Sequence, residues 1–223
     1  LSKKVIKEKA DIGFAFDGDG DRLIVVDNKG NEIDGDKIIA LFAKYLINTK
    51  KSNLKFPVIT TVMSNLGLEN FLLKNLSINL KRSSVGDINV IKKMKKYKSI
   101  LGGEQSGHII LSEYSKTGDG ILAALKITEI ISRVKKPVNL IFDLYNNFPQ
   151  IKINIPYKKI SKYFLKYIKN LNKKKIKNKN IRLLIRLSGT EPLIRILVEG
   201  KDLELVQAKA KTIEKDIRIN LEK

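Results

Sequence analysis

Short apolar runs alternate with segments of helical periodicity along the first two thirds of the chain. The apolar runs predict strands at residues 12–16, 23–26, 31–33, 58–62, 78–81, 100–101 and 108–111. Apolar residues three and four positions apart predict helices that begin near residues 36, 65, 87, 120 and 138. Because strands that alternate with helices pair in parallel, we expect an α/β fold here. It comprises the end of one α/β domain and then a complete mixed-sheet α/β domain.

The pattern changes near Pro149, where a smaller α+β domain is predicted to begin. Strands are predicted at residues 150–155, 181–187 and 193–198, and helices at residues 161–171 and from Asp202 onward. Residues 173–179 are predicted to form a lysine-rich loop. We expect a four-stranded sheet and two helices in this C-terminal domain. The chain would thus divide into residues 1–33, 34–148 and 149–223.

Length and composition narrow the class of protein. With 223 residues, of which 43% are hydrophobic, the chain can bury a sizeable core. No apolar stretch is long enough to span a bilayer, so no membrane partner is expected. The absence of cysteine excludes disulfides and thiolate metal sites and is typical of a cytoplasmic protein. The chain begins with Leu1 and leads into a predicted buried strand, as a fragment of a longer protein would.

The formal net charge of +21 raises the question of nucleic-acid binding. The cations are mostly lysines scattered along the chain, with runs at residues 92–96 and 173–177 that are typical of solvated helix faces or loops. No nucleic-acid motif or pattern of stacking aromatic residues accompanies them. Nucleic acid is therefore not expected as the main partner, although a non-catalytic binding module that uses this charge remains an alternative.

Three carboxylates at alternate positions, Asp17-Gly-Asp-Gly-Asp21, lie between two predicted strands; we call residues 17–21 the acidic turn. Like charges in one turn repel each other unless a cation neutralises them. Oxygen ligands without a nearby Cys or His suit a hard ion such as Mg²⁺. An EF-hand is excluded because the sixth and twelfth loop positions are Arg22 and Asn28. The remaining alternative is a solvated Asp/Gly hairpin turn.

A second polar run, Gly102-Gly-Glu-Gln-Ser-Gly-His108, separates two predicted strands; we call residues 102–108 the glycine-rich turn. Its glycines permit a turn in which Glu104, Gln105 and Ser106 point at one ligand, and sugar hydroxyls or amines suit these side chains. The alternative is a polar surface hairpin. His108 is the only histidine of the chain, and a lone histidine is more often structural than catalytic, although its titration range suits proton transfer.

The third run, Arg186-Leu-Ser-Gly-Thr-Glu-Pro-Leu-Ile-Arg195, joins two predicted strands; we call residues 186–195 the arginine loop. Ser188, Gly189 and Thr190 offer backbone N–H groups and two hydroxyls, and the arginines add planar donors that are always charged. Such a loop can hold a phosphate. It is not a Walker loop, because the Gly-Lys-Ser/Thr ending is absent. The alternative is a Ser-Gly turn with two solvated arginines.

A shorter motif, Thr117-Gly-Asp-Gly120, precedes the long helix predicted to end near residue 134. It predicts an N-terminal cap, with the carboxylate of Asp119 favoured by the helix dipole. A catalytic role for Asp119 does not follow from the spacing.

Taken together and in this order, Asp-Gly-Asp-Gly-Asp-Arg, Gly-Gly-Glu-Gln-Ser-Gly-His and Arg-x-Ser-Gly-Thr-Glu-Pro resemble the α-D-phosphohexomutase superfamily along essentially the whole chain. The glycine-rich turn and Thr-Gly-Asp-Gly are most similar to members that act on glucosamine phosphate. The resemblance implies that Mg²⁺ is bound by Asp17, Asp19 and Asp21, with Arg22 near the transferred phosphoryl group. It further implies that sugar hydroxyls are bound by Glu104 and Ser106, that His108 assists proton transfer, and that the non-transferred phosphate is held by Arg186, Ser188, Gly189, Thr190 and Arg195.

The implied activity is the interconversion of glucosamine 6-phosphate and glucosamine 1-phosphate through a 1,6-bisphosphate. In the superfamily a phosphoserine in a Ser-His-Asn-Pro context carries the phosphoryl group. No Ser-His dipeptide occurs here, so the chain is expected to be inactive without N-terminal domains of the same protein. One departure is Ile88, where relatives commonly carry Arg after Gly-Asp. Mutases of mannose or glucose phosphates remain the enzymatic alternative.

Overall fold

The fold was determined as a computed structural model, which describes residues 1–50, 56–173 and 181–221. The chain divides into two compact units, Leu1–Asn146 and Asn147–Lys223. We call them the first and the second unit. Among the described residues, no helix combines the length and the apolar character that a bilayer crossing requires.

The first unit contains two sheets surrounded by helices. Its helices are α1 (Ser2–Glu8), α2 (Gly35–Lys50), α3 (Leu66–Leu76), α4 (Asp87–Tyr97), α5 (Gly120–Val134) and α6 (Val138–Phe142). Its strands are β1 (Ile12–Phe16), β2 (Leu23–Asp27), β3 (Glu32–Ile33), β4 (Val58–Thr61), β5 (Leu80–Ser83), β6 (Leu101–Gly103) and β7 (Ile109–Leu111). The first sheet has the order β1-β2-β3 and is antiparallel. The second has the order β5-β4-β6-β7.

The second sheet is mixed, as the alternation of strands and helices predicts. Strand β4 pairs in parallel with both β5 and β6, and β6 pairs antiparallel with β7 through the glycine-rich turn. Helix starts also follow the local sequence, since Asp119 caps α5 by accepting the N–H of Leu122 at 2.8 Å. At α2 the carboxylate of Asp34 accepts the N–H of Lys37 at 3.0 Å.

The beginning of the chain differs from expectation in two respects. Residues 2–8 form α1, which the sequence pattern does not predict because it buries only Val5 and so has no apolar periodicity. The expected buried strand at residues 12–16 does form as β1, but among the described strands it pairs only with β2, and it leaves Phe16 exposed. A strand at the edge of a sheet has a neighbour on one side only, so its side chains are less buried than those of a central strand.

One hydrophobic core joins the first sheet to the rest of the first unit. Leu23, Val25 and Ile33 belong to the same buried cluster as Ile39 and Leu68. The segment before residue 34 thus packs within the same compact unit as the segment that follows it. A separate domain at residues 1–33 stays a prediction about the longer protein.

The second unit is a small α+β structure made of β8 (Gln150–Pro156), α7 (Lys162–Lys173), β9 (Ile181–Leu187), β10 (Leu193–Gly200) and α8 (Leu203–Leu221). Its described sheet is antiparallel with the order β8-β10-β9. The expectation of four strands is wrong for the described sheet, which consists of the three strands that the apolar runs at residues 150–155, 181–187 and 193–198 predict. The segment between β8 and β9 forms α7, as predicted, because Phe164 and Ile168 are buried at helical spacing. The two predicted helices are both present. The predicted lysine-rich loop lies outside the described residues, except that Lys173 ends α7.

Candidate active site

The acidic turn lies between β1 and β2 and is closed by its own hydrogen bonds. The N–H of Gly20 donates to the carbonyl oxygen of Asp17 at 3.2 Å, and the N–H of Arg22 donates to Oδ1 of Asp17 at 3.1 Å. Gly20 has a φ of +72°, a conformation that glycine adopts without strain. One carboxylate oxygen from each of Asp17, Asp19 and Asp21 lies within 4.8 Å of the others. The turn thus brings the three predicted ligands to one point.

The charges around the acidic turn suit a cation. Nε of Arg22 lies 3.5 Å from Oδ2 of Asp17 and 3.8 Å from Oδ1 of Asp21. Desolvation raises the pKa of Asp17, but the backbone N–H of Arg22, the neighbouring Asp21 side chain and the charge of Arg22 outweigh it and lower this pKa overall. Oδ1 of Asp21 is buried and accepts no hydrogen bond from the described residues. One arginine therefore leaves the three carboxylates with excess negative charge, and these residues fit Mg²⁺.

The acidic turn is held directly against the glycine-rich turn. The N–H of Leu23 donates to the carbonyl oxygen of Gly107 at 3.1 Å, and Arg22 and His108 form an antiparallel bridge. Gly107 has a φ of +94°, and a Cβ there would lie 2.2 Å from the carbonyl oxygen of Leu23. Any other residue at this position would separate the two turns. The two motifs thus form one site because glycine allows their backbones to touch.

His108 connects the two turns through its side chain. Its Nδ1 lies 3.1 Å from Oδ2 of Asp21, and the residue is only 2% exposed. A Cβ added at Gly118 would lie 2.3 Å from Cε1 and from Nε2 of the ring. In addition, the N–H of Gly120 donates to the carbonyl oxygen of Gly20 at 3.0 Å. The glycines of Thr-Gly-Asp-Gly therefore pack against the site, a role that the sequence analysis missed because it considered only the capping aspartate.

The remaining side chains of the glycine-rich turn have different environments. Oε1 of Glu104 accepts the N–H of Gly86 at 3.1 Å, and Ser106 is exposed. Gln105 does not point at a shared ligand site, because its Nε2 donates to Oδ2 of Asp34 at 3.3 Å and anchors the turn to the start of α2. Ile88 lies in the first turn of α4, two residues after Gly86, and is 59% exposed. An exposed isoleucine provides no charge at this position.

The arginine loop connects β9 and β10 in the second unit. Arg186 and Arg195 are direct cross-strand partners in the β9–β10 register. The N–H of Ser188 donates to the carbonyl oxygen of Leu193 at 2.8 Å, which closes the loop. Gly189 and Thr190 are exposed, and their N–H groups donate to no acceptor in the described part of the chain. These two donors are therefore available to a ligand.

The electrostatics of the arginine loop favour an anion. Burial and then the charge of Arg195 lower the pKa of Arg186. The guanidinium of Arg195 pairs with Glu191 at 2.6 Å, while its Nε is buried and has no hydrogen-bond partner among the described residues. Like charges placed directly opposite each other on a sheet are destabilising. A phosphate bound here would offset that repulsion and would take up the free donors.

Comparison with known proteins identifies the family. Residues 34–148, more than half of the chain, match the family model described as "Phosphoglucomutase/phosphomannomutase, alpha/beta/alpha domain III". The chain belongs to this family. Residues 153–215 match the model of the same family's C-terminal domain. The first match falls within the first unit except for its last two residues, and the second falls within the second unit.

Among curated relatives, a phosphoglucosamine mutase from Fusobacterium nucleatum is 46% identical over 222 residues, which is 96% of this chain and 48% of that protein. The chain is therefore a homologue of phosphoglucosamine mutase, and it spans about half the length of the curated relatives it matches. The predicted resemblance is confirmed at this level.

Solved structures of the family show the same fold. A phosphoglucomutase/phosphomannomutase family protein from Burkholderia thailandensis has a TM-score of 0.81 at 23% identity, over 98% of this chain and 49% of that one. An Aspergillus fumigatus N-acetylphosphoglucosamine mutase, solved in complex with GlcNAc-6P and magnesium, has a TM-score of 0.71 at 19% identity, over 90% of this chain and 50% of that one. At these identities the likeness concerns the fold alone.

Proposed function

We propose that this chain is the part of a phosphoglucosamine mutase that holds the metal, the sugar and one phosphate. The whole protein would interconvert glucosamine 6-phosphate and glucosamine 1-phosphate and so supply an amino-sugar precursor for cell-wall synthesis. The observation that carries the proposal is the joining of the acidic turn to the glycine-rich turn through Leu23–Gly107 and Asp21–His108. The 46% identity with the Fusobacterium nucleatum enzyme supports the choice of sugar. A cytoplasmic location stays a prediction.

In the first unit, Asp17, Asp19 and Asp21 would hold Mg²⁺, which offsets negative charge on a phosphoryl group during its transfer. Arg22 already lies between two of these carboxylates, so a modest side-chain rotation would let it contact the phosphoryl oxygens. We propose that His108 is mainly a positioning residue, because its ring is buried and its Nδ1 lies against Asp21. Direct proton transfer by this ring stays a prediction.

Glu104 and Ser106 would bind sugar hydroxyls. Glu104 is held by the N–H of Gly86 through one carboxylate oxygen, which orients the other as an acceptor. Ser106 is exposed in the same turn and can both donate and accept a hydrogen bond. A hexosamine needs acceptors for its hydroxyl and amine protons, and this pair provides them.

In the second unit, Arg186, Ser188, Gly189, Thr190 and Arg195 would hold the phosphate that is not being transferred. The N–H groups of Gly189 and Thr190 are without acceptors in the described residues. A Cβ at Gly189 would meet no atom within 4 Å, so the space in front of this backbone is open. Backbone donors together with two guanidinium groups match the oxygens of a phosphate monoester.

The reaction needs a phosphoryl carrier that this chain does not provide in the form known for the superfamily. A phosphoserine elsewhere in the whole protein would donate its phosphoryl group to O1 of glucosamine 6-phosphate, giving the 1,6-bisphosphate. After reorientation, the serine takes back the phosphoryl group from O6 and leaves glucosamine 1-phosphate. We therefore expect no turnover by the 223 residues alone. Measurable conversion of glucosamine 6-phosphate by this purified chain would contradict the proposal.

The deciding experiment measures kcat/KM of the full-length protein on glucosamine 6-phosphate, mannose 6-phosphate and glucose 6-phosphate. We expect the glucosamine substrate to be preferred. A preference for either neutral sugar would instead support the phosphomannomutase or phosphoglucomutase alternative, which the description of the family model also allows. Salt-sensitive DNA binding by this chain, with no Mg²⁺-dependent binding of sugar phosphate, would favour a non-catalytic module.

Mg²⁺ binding provides a separate test. We expect the metal to need the phosphoserine as a further ligand, and Arg22 already neutralises part of the charge of the acidic turn. Binding to the 223-residue chain should therefore be weak. Tight stoichiometric binding of Mg²⁺ in calorimetry would refute this expectation.

A further inference from the structure

A cavity of about 400 Å³ lies in the first unit between α4 and the hairpin of β6 and β7. Its apolar wall consists of Ile91, Met94, Ile100 and Ile110. Met94 and Ile110 are almost fully buried, with exposed fractions of 3% and 1%. The volume falls within the range of about 300–1,000 Å³ that is typical of small-molecule sites. The cavity can therefore take an apolar group of the size of one or two rings.

Three exposed lysines, Lys95, Lys98 and Lys116, also line the cavity. None of the three forms an ion pair within the part of the chain that the structure describes. Among the described residues that line the cavity there is no carboxylate, although Glu113 lies in the same loop between β7 and α5 as Lys116. The C-terminus of α4 contributes a partial negative charge of about half a unit, which three full positive charges outweigh. The cavity is therefore an anion-attracting site with an apolar floor.

The cavity is separate from the candidate active site. Its lining residues Ser99, Ile100 and Ser112 lie before β6 and after β7, whereas the glycine-rich turn joins the opposite ends of these strands. At a rise of about 3.3 Å per residue, the three residues of β6 place the two ends roughly 10 Å apart. A ligand in the cavity would not contact the acidic turn.

We propose that this cavity binds a small anion with a compact apolar body, such as an aromatic carboxylate or an aryl phosphate monoester. The apolar body would pack on Met94 and Ile110, and the anionic group would lie among the three lysines. The three lysines alone would bind an anion weakly, since exposed ion pairs contribute at most about 1 kcal/mol each. The apolar wall alone would not distinguish an anionic ligand from a neutral one. The proposal does not depend on the mutase function.

The test uses the two methionines of the chain as reporters. Met94 lines the cavity, and Met63 lies beyond the opposite end of β4 and does not line it. With ¹³C-labelled methionine methyl groups, the 223-residue chain is titrated with 2-naphthyl phosphate, 2-naphthol or inorganic phosphate. With 2-naphthyl phosphate we expect a saturable shift of the Met94 signal and no shift of the Met63 signal. 2-Naphthol, which lacks the anionic group, and inorganic phosphate, which lacks the apolar body, should each bind at least about tenfold more weakly.

Matched variants separate the cavity from general positive charge. Lys95→Glu with Lys98→Glu should weaken the binding of naphthyl phosphate by about tenfold or more. The control, Lys92→Glu with Lys96→Glu, makes the same change of charge on exposed positions of α4 that do not line the cavity. Ser112→Trp fills the cavity from an exposed position without removing a lysine. It should abolish binding.

Each outcome of these titrations either supports or overturns the proposed anion site. A Met94 shift that saturates with naphthyl phosphate, is lost in Ser112→Trp and survives in the control supports the site. Equal binding of 2-naphthol would show that charge plays no part and would overturn the proposal. Equal loss in the cavity and control lysine variants, or no Met94 shift at millimolar ligand, would overturn it as well.

Discussion

Replacing Gly118 by alanine should destabilise the first unit and disturb the acidic turn, although residue 118 has no reactive group. A Cβ there would lie 2.3 Å from Cε1 and Nε2 and 2.7 Å from Cδ2 of His108. The ring is 2% exposed and lies against Asp21 through Nδ1 at 3.1 Å. It therefore cannot retreat from the new methyl group without losing that contact.

The size of the effect follows from these distances. Carbon atoms pack at about 3.5 Å or more, so the ring must move by about 1 Å. Overpacking a well-filled interior costs about 1–3 kcal/mol. Loss of the contact with Asp21 adds about 0.5 kcal/mol, the low end of the range for a polar interaction, because the Asp21 side chain is 32% exposed. The free energy of unfolding of the first unit should fall by about 1.5–3.5 kcal/mol.

Urea unfolding followed by NMR measures this change. His108 is the only histidine of the chain and lies in the first unit, so the proton on its Cε1 gives one NMR signal that reports on this unit. With a slope of about 1–3 kcal/mol per molar urea, the midpoint should fall by about 0.5 M or more. The imidazole signal of the folded variant should also shift, because the ring changes its position relative to Asp21.

Gly18→Ala is the matched control within the same site. A Cβ at Gly18 would meet no atom within 4 Å, and its φ is not positive. This variant should keep the midpoint or raise it slightly, because alanine lowers the entropy of the unfolded chain. If Gly118→Ala unfolded at the same urea concentration as Gly18→Ala, with an unchanged His108 signal, the packing of residue 118 against the ring would be refuted.

Three further predictions concern charges. In the absence of phosphate, Arg186→Gln should stabilise the second unit by about 0.2–1 kcal/mol, because it removes the like charge opposite Arg195. Phosphate should no longer raise the thermal midpoint of this variant, and an undiminished rise would contradict the proposed phosphate site. Asp21→Asn should lower Mg²⁺ affinity by about tenfold in calorimetry. Asp11 is exposed just before β1, and Asp11→Asn should leave the affinity unchanged. Equal losses of affinity in the two variants would exclude the acidic turn as the Mg²⁺ site. Burial raises the pKa of Asp36 to about 6 from 3.8, so its stabilising protonated form is lost as pH rises. The free energy of unfolding of the chain, compared with that of the Asp36→Asn variant at the same pH, should fall by up to roughly 3 kcal/mol between pH 4 and 7. A difference between the two that does not change with pH would refute the raised pKa of Asp36.

The features that the sequence predicts well are those decided by neighbouring residues. The mixed sheet follows from the alternation of apolar runs with helical spacing, and the cap at Asp119 follows from a carboxylate placed just before a helix. The missed features depend on single tertiary contacts. Helix α1 is held by one buried residue, Val5, which produces no periodic signal. Gln105 binds Asp34 across 71 positions of the chain, and no local pattern indicates that contact.

The glycines of the four motifs have two different kinds of surroundings, which the sequence alone does not distinguish. Gly107 and Gly118 are required by the chain itself, because a Cβ would collide with Leu23 or with His108. Gly18 and Gly189 face open space without a positive φ, so neither the backbone conformation nor packing requires glycine there. Both lie in loops whose charges suit a ligand, a cation at one and an anion at the other. Gly18 and Gly189 therefore leave the backbone of the acidic turn and of the arginine loop open to a ligand.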